Sequence, residues 1–246
     1  MKRTSHGMIL GEGGVKMSKS LGNVINPDEM VKTYGADTLR LYEMFMGPFD
    51  QSAVWSTESI IGPRRFLEKV WKIGYKVASS SQRESANLSL ERLLHRTIKK
   101  VSEDIEGMHF NTAISSMMIL ATEMDKVENV SLDNYKKFLQ ILAPFAPHIA
   151  EEIWSDLVSD SDSGRRGSIH LSDWPKWDAD AIKDEEVKIV VQINGKVRTE
   201  IMIEPDEKEE SVKHRVLDNE VVLKYTAGKN IKKTIYIKNK LINVVL

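Results

Sequence analysis

The sequence contains no cysteine, which excludes disulfides, thiolate nucleophiles and cysteine-ligated zinc. Its histidines, His6, His95, His109, His148, His170 and His214, show no His-x-x-x-His or comparable spacing, so no protein-bound metal is expected. An apolar run long enough for a signal peptide or a membrane span is also missing, which implies a soluble, cytoplasmic protein with no membrane partner. A surplus of charge of either sign is lacking too. The 35 basic and 36 acidic residues leave the chain near neutral, so only the local distribution of charge can argue for a nucleic-acid surface. What remains is ordinary for folded proteins: 41% hydrophobic and 29% charged residues over 246 positions, enough for about one to three domains with substantial cores.

Against that background the run Gly13-Gly14-Val15-Lys16-Met17-Ser18-Lys19-Ser20-Leu21-Gly22-Asn23 is distinctive. Two lysines interleaved with serines and bracketed by glycines form a donor-rich segment without an acidic residue of its own. Lysine ammonium groups attract phosphate as point charges, and N–H groups in a glycine-flanked turn can make an anion-binding concavity. Composition alone favours the plainer reading, a solvated surface loop. The spacing of a Walker A loop is absent. Lys16-Met17-Ser18-Lys19-Ser20 resembles the KMSKS signature of class I aminoacyl-tRNA synthetases. The resemblance implies that Lys16, Met17, Ser18, Lys19 and Ser20 bind ATP. Lys19 would stabilise charge on the reacting phosphates and Lys16 would assist. Ser18 and Ser20 would hold the loop, and Met17 would anchor it in an apolar niche.

A helix should follow, with Asn26 as N-cap, Pro27 in its first turn, Asp28 and Glu29 behind it, and Gly35 as its stop. Asp37 can cap the next helix. There Leu39, Leu41, Tyr42, Met44, Phe45 and Met46 leave only Arg40 and Glu43 polar, so that helix should be nearly surrounded by protein. Residues 26–48 resemble the segment after KMSKS in bacterial-type leucyl-tRNA synthetases. Isoleucyl and valyl enzymes share the Asn26-Pro27 and Gly35-Ala36-Asp37 portions, and Leu41 to Pro48 is the discriminating piece.

Helical periodicity then continues. Phe66, Leu67, Val70, Trp71 and Ile73 mark one helix within 58–80, and Leu90, Leu93, Leu94, Ile98, Val101 and Ile105 mark another over 89–107, stopped by Gly107. A third should follow Asn111 as N-cap, a fourth should cover 132–142, and Pro147 should open a fifth carrying Ile149, Ile153, Trp154 and Leu157. Such amphipathic helices imply an antiparallel bundle. The strings His109 to Ile114 and Leu142 to Trp154 resemble the anticodon-binding domain of the leucine, isoleucine and valine enzymes, with His148 read as a packing or capping residue. Ser79 to Asn87 and Ser159 to Ser168 read as loops, Ile169 to Pro175 as a return segment, and Lys183 to Glu186 as a charged linker.

From Val187 the period becomes two. Val187, Ile189, Val191 and Ile193 alternate with more polar positions, Asn194-Gly195 turns the chain, and Val197, Thr199, Ile201 and Ile203 alternate again, a strong hairpin signal. Asp206 can cap a short helix with Val212, Val216 and Leu217, and a second holds Val221, Val222, Leu223 and Tyr225. Ile231, Ile235 and Ile237 should form one strand and Leu241 to Leu246 another. The final 26 residues hold six lysines and no acidic residue. This is a footprint for a phosphate backbone or, equally, a lysine-protected sheet edge. Val191 to Arg198 and Ile235 to Val245 resemble the C-terminal domain of leucyl-tRNA synthetases, which in that family reaches the outer corner of the tRNA. Isoleucyl enzymes commonly end in a cysteine zinc module, and here there is none.

The expected fold is therefore multidomain and mainly α. Residues 1–57 would form the KMSKS loop and stem-contact segment, 58–182 an antiparallel helical bundle, and 187–246 a small α+β domain. The resemblance implies a C-terminal portion of a leucine–tRNA ligase, monomeric, with ATP, Mg2+ carried by ATP, leucine and tRNA(Leu) as partners of the full enzyme. Lys229, Lys232 and Lys233, together with Arg64 and Arg65, are the candidate tRNA contacts. The alternatives are an isoleucyl or valyl enzyme and a tRNA-binding module without chemistry. Because the His-Ile-Gly-His signature and the amino-acid pocket are not in these residues, the loop is expected to be poorly placed and the isolated chain inactive.

Overall fold

The computed structural model describes residues 4–80, 87–157, 167–182 and 187–246. The expected loop at 159–168 and linker at 183–186 lie outside these residues apart from Gly167 and Ser168, as does most of the 79–87 loop. The chain divides into two compact units, Met1–Ile182 and Lys183–Leu246.

The first unit opens with a short parallel pair, β1 (Ile9–Leu10) against β2 (Ala53–Val54), and the lysine loop leaves from the end of β1. Helix α1 (Pro27–Tyr34) starts as its local chemistry dictates: the Asn26 carboxamide accepts from the Asp28 N–H at 3.0 Å. Gly35 ends it with φ of 92°, a conformation that an L side chain rarely adopts. Helix α2 (Ala36–Phe45) buries Leu39, Leu41 and Tyr42 and leaves Arg40 and Glu43 outside. Leu39, Tyr42, Trp55 and Ile60 form a small core, with Ile9, Met17, Ile25, Met30, Tyr34 and Met46 against it. Tyr42 meets Trp55 edge-on at 5.0 Å, and its hydroxyl donates to the Ser56 carbonyl at 2.8 Å.

Helices α3 (Ile61–Ser79), α4 (Leu88–Gly107), α5 (Phe110–Lys126), α6 (Leu132–Leu142) and α7 (Pro147–Leu157) build the main core. Leu94, Ile98, Ile114, Met117, Leu120 and Phe138 are completely buried there, each stabilising the fold by roughly 1.5–3 kcal/mol. Tyr135 crosses this core and donates to the Val70 carbonyl at 2.6 Å, while burial pushes its phenol well above the ordinary value. Gly74 permits that approach. A Cβ there would lie 2.9 Å from Ile153 Cγ2 and 3.1 Å from the Tyr135 hydroxyl.

Several local expectations change. Trp71 does not join the core; it is 48% exposed, because α3 buries the stripe through Phe66, Leu67, Val70, Ile73 and Val77 and turns residue 71 aside. Helix α4 includes Gly107, and Met108 takes the left-handed cap with φ of 61°. Helix α5 begins at Phe110, so Asn111 lies in its first turn rather than capping it. The largest change is Asp37, which does not cap its own helix, whose start at Gly35 has no side-chain cap. Its carboxylate, 7% exposed, accepts from the Ile149 N–H at 2.8 Å and His148 Nδ1 at 2.7 Å, and more weakly from the His148 N–H at 3.4 Å. It therefore neutralises orphan donors at the start of α7. One turn along α2, Arg40 donates to the carbonyls of Pro144 at 2.9 Å and Phe145 at 3.3 Å, just beyond α6. A carboxylate at one helix start and a guanidinium at the preceding helix end latch α2 across the α6–α7 turn.

The second unit is a four-stranded mixed sheet, β3 (Val187–Ile193), β4 (Lys196–Ile203), β5 (Lys233–Ile237) and β6 (Leu241–Val245), in the order β4-β3-β6-β5. Strands β3 and β6 run parallel; the outer pairs are antiparallel. Asn194 and Gly195, with φ of 50° and 76°, make the expected hairpin turn. Helices α8 (Glu209–Leu217) and α9 (Glu220–Thr226) contribute Val212, Val216 and Val222 to a core with Ile189, Val191, Ile193, Ile203, Ile242 and Val244. Asp206 does not cap α8, whose N-cap position is Lys208. Its carboxylate instead binds Lys238 at 2.9 Å and the Asn239 amide at 3.0 Å. Strand β5 begins later than expected. Tyr236 packs on the core, while Ile235 and Ile237 are 40% and 47% exposed and Ile231 precedes the strand.

Candidate functional site

The lysine loop is a folded unit, contrary to the expectation of a poorly placed arm. Its neck is closed by the Gly11 N–H donating to the Val15 carbonyl at 2.8 Å and the Gly14 N–H donating to the Gly11 carbonyl at 3.0 Å. Gly13 and Gly14 turn the chain there with φ of 77° and 76°. Met17 packs inward on the Leu39–Tyr42–Trp55–Ile60 core. The Ser18 hydroxyl accepts from the Leu21 N–H at 3.3 Å and lies 3.1 Å from the Ser20 hydroxyl. Lys19–Leu21 form a single 3-10 turn, closed by Gly22 in the left-handed region.

Asn23, which sequence reasoning does not single out, crosses the base of this loop. Its Oδ1 accepts from the Ser18 N–H at 2.8 Å and its Nδ2 donates to the Lys16 carbonyl at 3.3 Å. No sequence pattern marks such bonds, because the partners lie five and seven residues back, outside the spacings of helix caps and short turns.

Lys16 and Lys19 are exposed, and among the described residues neither has a carboxylate partner. Both ammonium groups are thus available to an anion. A unit charge pair at about 4 Å is worth roughly 4 kcal/mol at an effective dielectric constant of about 20. The structure brings Lys16, Met17, Ser18, Lys19 and Ser20 together as one surface, with the cations outward and the methionine inward.

The candidate tRNA residues fall into two groups, one on each unit. Arg64 is committed to Glu68 at 2.9 Å and to the Tyr34 carbonyl at 3.2 Å; Arg65 beside it is exposed. Arg64 borders a cleft of about 710 Å3 with Asp37, Trp71, His148 and Glu152. On the second unit, Lys229 follows α9, and Lys232 and Lys233 lead into β5, all exposed. Lys232 reaches the Leu246 carbonyl at 3.3 Å. A further cation there has no signature in the sequence: Arg198 lies over the Tyr225 ring, 4.4 Å from its centroid. Among the described residues no cluster of three or more His, Cys, Asp or Glu could hold a metal, and no helix is long and apolar enough to cross a membrane.

The family model for the anticodon-binding domain of tRNA ligase matches residues 88–214, and the model for class I tRNA synthetases of the I, L, M and V group matches residues 2–55. The chain belongs to this family of class I tRNA ligases. It is similar to the leucyl-tRNA synthetase of Agrobacterium radiobacter, solved with tRNA and LeuAMS, at 30% identity and a TM-score of 0.79. That match covers 98% of this chain and 33% of the other, so the chain spans about a third of that enzyme's length. Two structures of Mycobacterium tuberculosis methionyl-tRNA synthetase with methionyl-adenylate share the fold. They are 18% and 17% identical, with TM-scores of 0.51 and 0.50, over 61% of this chain and 37% of theirs.

Proposed function

We propose that this chain supplies the ATP-phosphate loop and the tRNA-supporting units of a leucine–tRNA ligase. The observation that carries the reading is the pair of exposed ammonium groups, Lys16 and Lys19, which have no carboxylate partner among the described residues and stand on a loop closed by its own hydrogen bonds. The 30% identity to a leucyl enzyme across 98% of the chain supports leucine over methionine, for which identity is 18% over 61%.

In the complete enzyme the leucine carboxylate attacks the α-phosphate of ATP, which enters as its Mg2+ complex, and pyrophosphate leaves. The leucyl group is then passed to the terminal ribose of tRNA(Leu). Negative charge grows on the phosphates in the first step, and Lys19 meets it with a charge already in place, which needs no reorganisation during reaction. Lys16 adds a second, weaker attraction, and Met17 holds both at a fixed height. Residues 1–57, 58–182 and 187–246 would act as loop and stem-contact segment, bundle, and terminal tRNA-binding domain. Lys229, Lys232, Lys233, Arg64 and Arg65 would meet the phosphate backbone, and Lys229, Lys233 and Arg65 are the readiest because, among the described residues, they are engaged by neither a carboxylate, as Arg64 is, nor a carbonyl, as Arg64 and Lys232 are.

The test is Lys19→Ala in full-length enzyme. Leucine-dependent ATP–pyrophosphate exchange should slow on the order of 100- to 1,000-fold, with leucine binding little changed. Exchange at the wild-type rate would remove Lys19 from the mechanism. The 246 residues alone should bind tRNA weakly and charge nothing; aminoacylation by them would contradict the assignment.

A further inference from the structure

We propose that Asn23 is a positioning residue for the two loop lysines, an inference that rests on the ATP-loop reading above. Its carboxamide is used at both ends, accepting from the Ser18 N–H at 2.8 Å and donating to the Lys16 carbonyl at 3.3 Å. The two partners flank Met17, whose side chain is itself packed into the Leu39–Tyr42–Trp55–Ile60 core. Three consecutive residues are therefore fixed by three different means: Lys16 by its carbonyl, Met17 by its side chain and Ser18 by its N–H. The Ser18 hydroxyl then accepts from the Leu21 N–H at 3.3 Å and sets the turn that carries Lys19.

The neck of the loop closes on the same carboxamide. A Cβ added to Gly11 would lie 3.0 Å from Asn23 Nδ2 and 3.3 Å from the Val15 carbonyl, so the chain entering the loop packs directly against the group that holds its two lysines. Both ends of the Asn23 carboxamide are committed to main-chain atoms of the loop itself. Asn23 acts by fixing where Lys16 and Lys19 stand before ATP arrives, and preorganisation of that kind sets rate rather than ground-state affinity for the other substrate.

Substitution should separate these effects. In full-length enzyme, Asn23→Ala is expected to lower kcat for leucine-dependent pyrophosphate exchange by about 10- to 100-fold, with the KM for leucine and the tRNA Kd unchanged. In the 246-residue chain, amide hydrogen exchange should quicken at Ser18 and Leu21 while the bundle amides keep their protection. Asn23→Asp retains an acceptor for the Ser18 N–H, so it should restore protection at Ser18. A wild-type kcat in Asn23→Ala would overturn the proposal. So would loss of protection throughout residues 4–60, which would make Asn23 a general support of the fold. A wild-type enzyme without leucine-dependent exchange would instead refute the functional reading itself, whatever Ser18 exchange shows.

Discussion

Replacing Asp37 with alanine should loosen the joint between the loop-bearing segment and the helical bundle. The carboxylate is 7% exposed and makes two close hydrogen bonds, at 2.7 and 2.8 Å, and one longer bond at 3.4 Å. A hydrogen bond to a charged group contributes about 1.5–3 kcal/mol, and loss of an N-cap costs about 0.5–2 kcal/mol. Because these contributions overlap at one helix terminus, the expected loss is about 2–4 kcal/mol rather than their total. Arg40→Ala removes two bonds to carbonyls from an exposed side chain and should cost about 1 kcal/mol. Urea unfolding of the chain followed at 222 nm measures both. The discriminating variant is Asp37→Ser. If Asp37 capped its own helix, serine would serve nearly as well; since the carboxylate reaches α7, the shorter serine should unfold like alanine. Stability of Asp37→Ser within about 0.5 kcal/mol of wild type would refute the latch.

Two further outcomes follow from the second unit. The hydrogen bond from Lys238, reinforced by Asn239, holds the Asp206 carboxyl below its ordinary value. A depressed folded value means that its stabilising effect is complete above the unfolded carboxylate range, near pH 4, and is lost as pH falls through the lower folded value. Asp206→Asn should therefore remove the acid-dependent part of amide protection at the β5–β6 turn, measured between about pH 5 and 2; an unchanged acid profile would count against the Asp206–Lys238 pair. Joint replacement of Lys232 and Lys233 by glutamate should weaken tRNA binding and make its log–log salt slope shallower by about one unit for each phosphate no longer neutralised. An unchanged slope would place the RNA-binding surface elsewhere on the chain.

The parts legible from sequence are those whose partners are close in sequence. The start of α1 can be read because Asn26 caps an N–H two residues away, and the β3–β4 hairpin because Asn194-Gly195 sets its own turn. Asp37 misleads for the opposite reason. It has every local attribute of a cap, yet its partners lie 111 and 112 residues on, and short-range rules cannot register that competition. Ile235 and Ile237 show a different limit: alternation identifies a strand but not which face is covered, and edge strand β5 turns Tyr236 to the core instead. At the loop, the lysines are visible as residue types. Their frame is not, since Asn23 reaches back five and seven residues, outside any cap or short-turn spacing, and the β1–β2 pairing rests on two-residue strands too short for any period to show.

The measurement that most directly tests the central reading is amino-acid-dependent ATP–pyrophosphate exchange by full-length enzyme carrying this chain, with leucine, isoleucine, valine and methionine compared side by side. Leucine should support exchange with the highest kcat/KM of the four, and Lys19→Ala should abolish most of it. Preference for another of these amino acids, or exchange indifferent to Lys19, would contradict that reading.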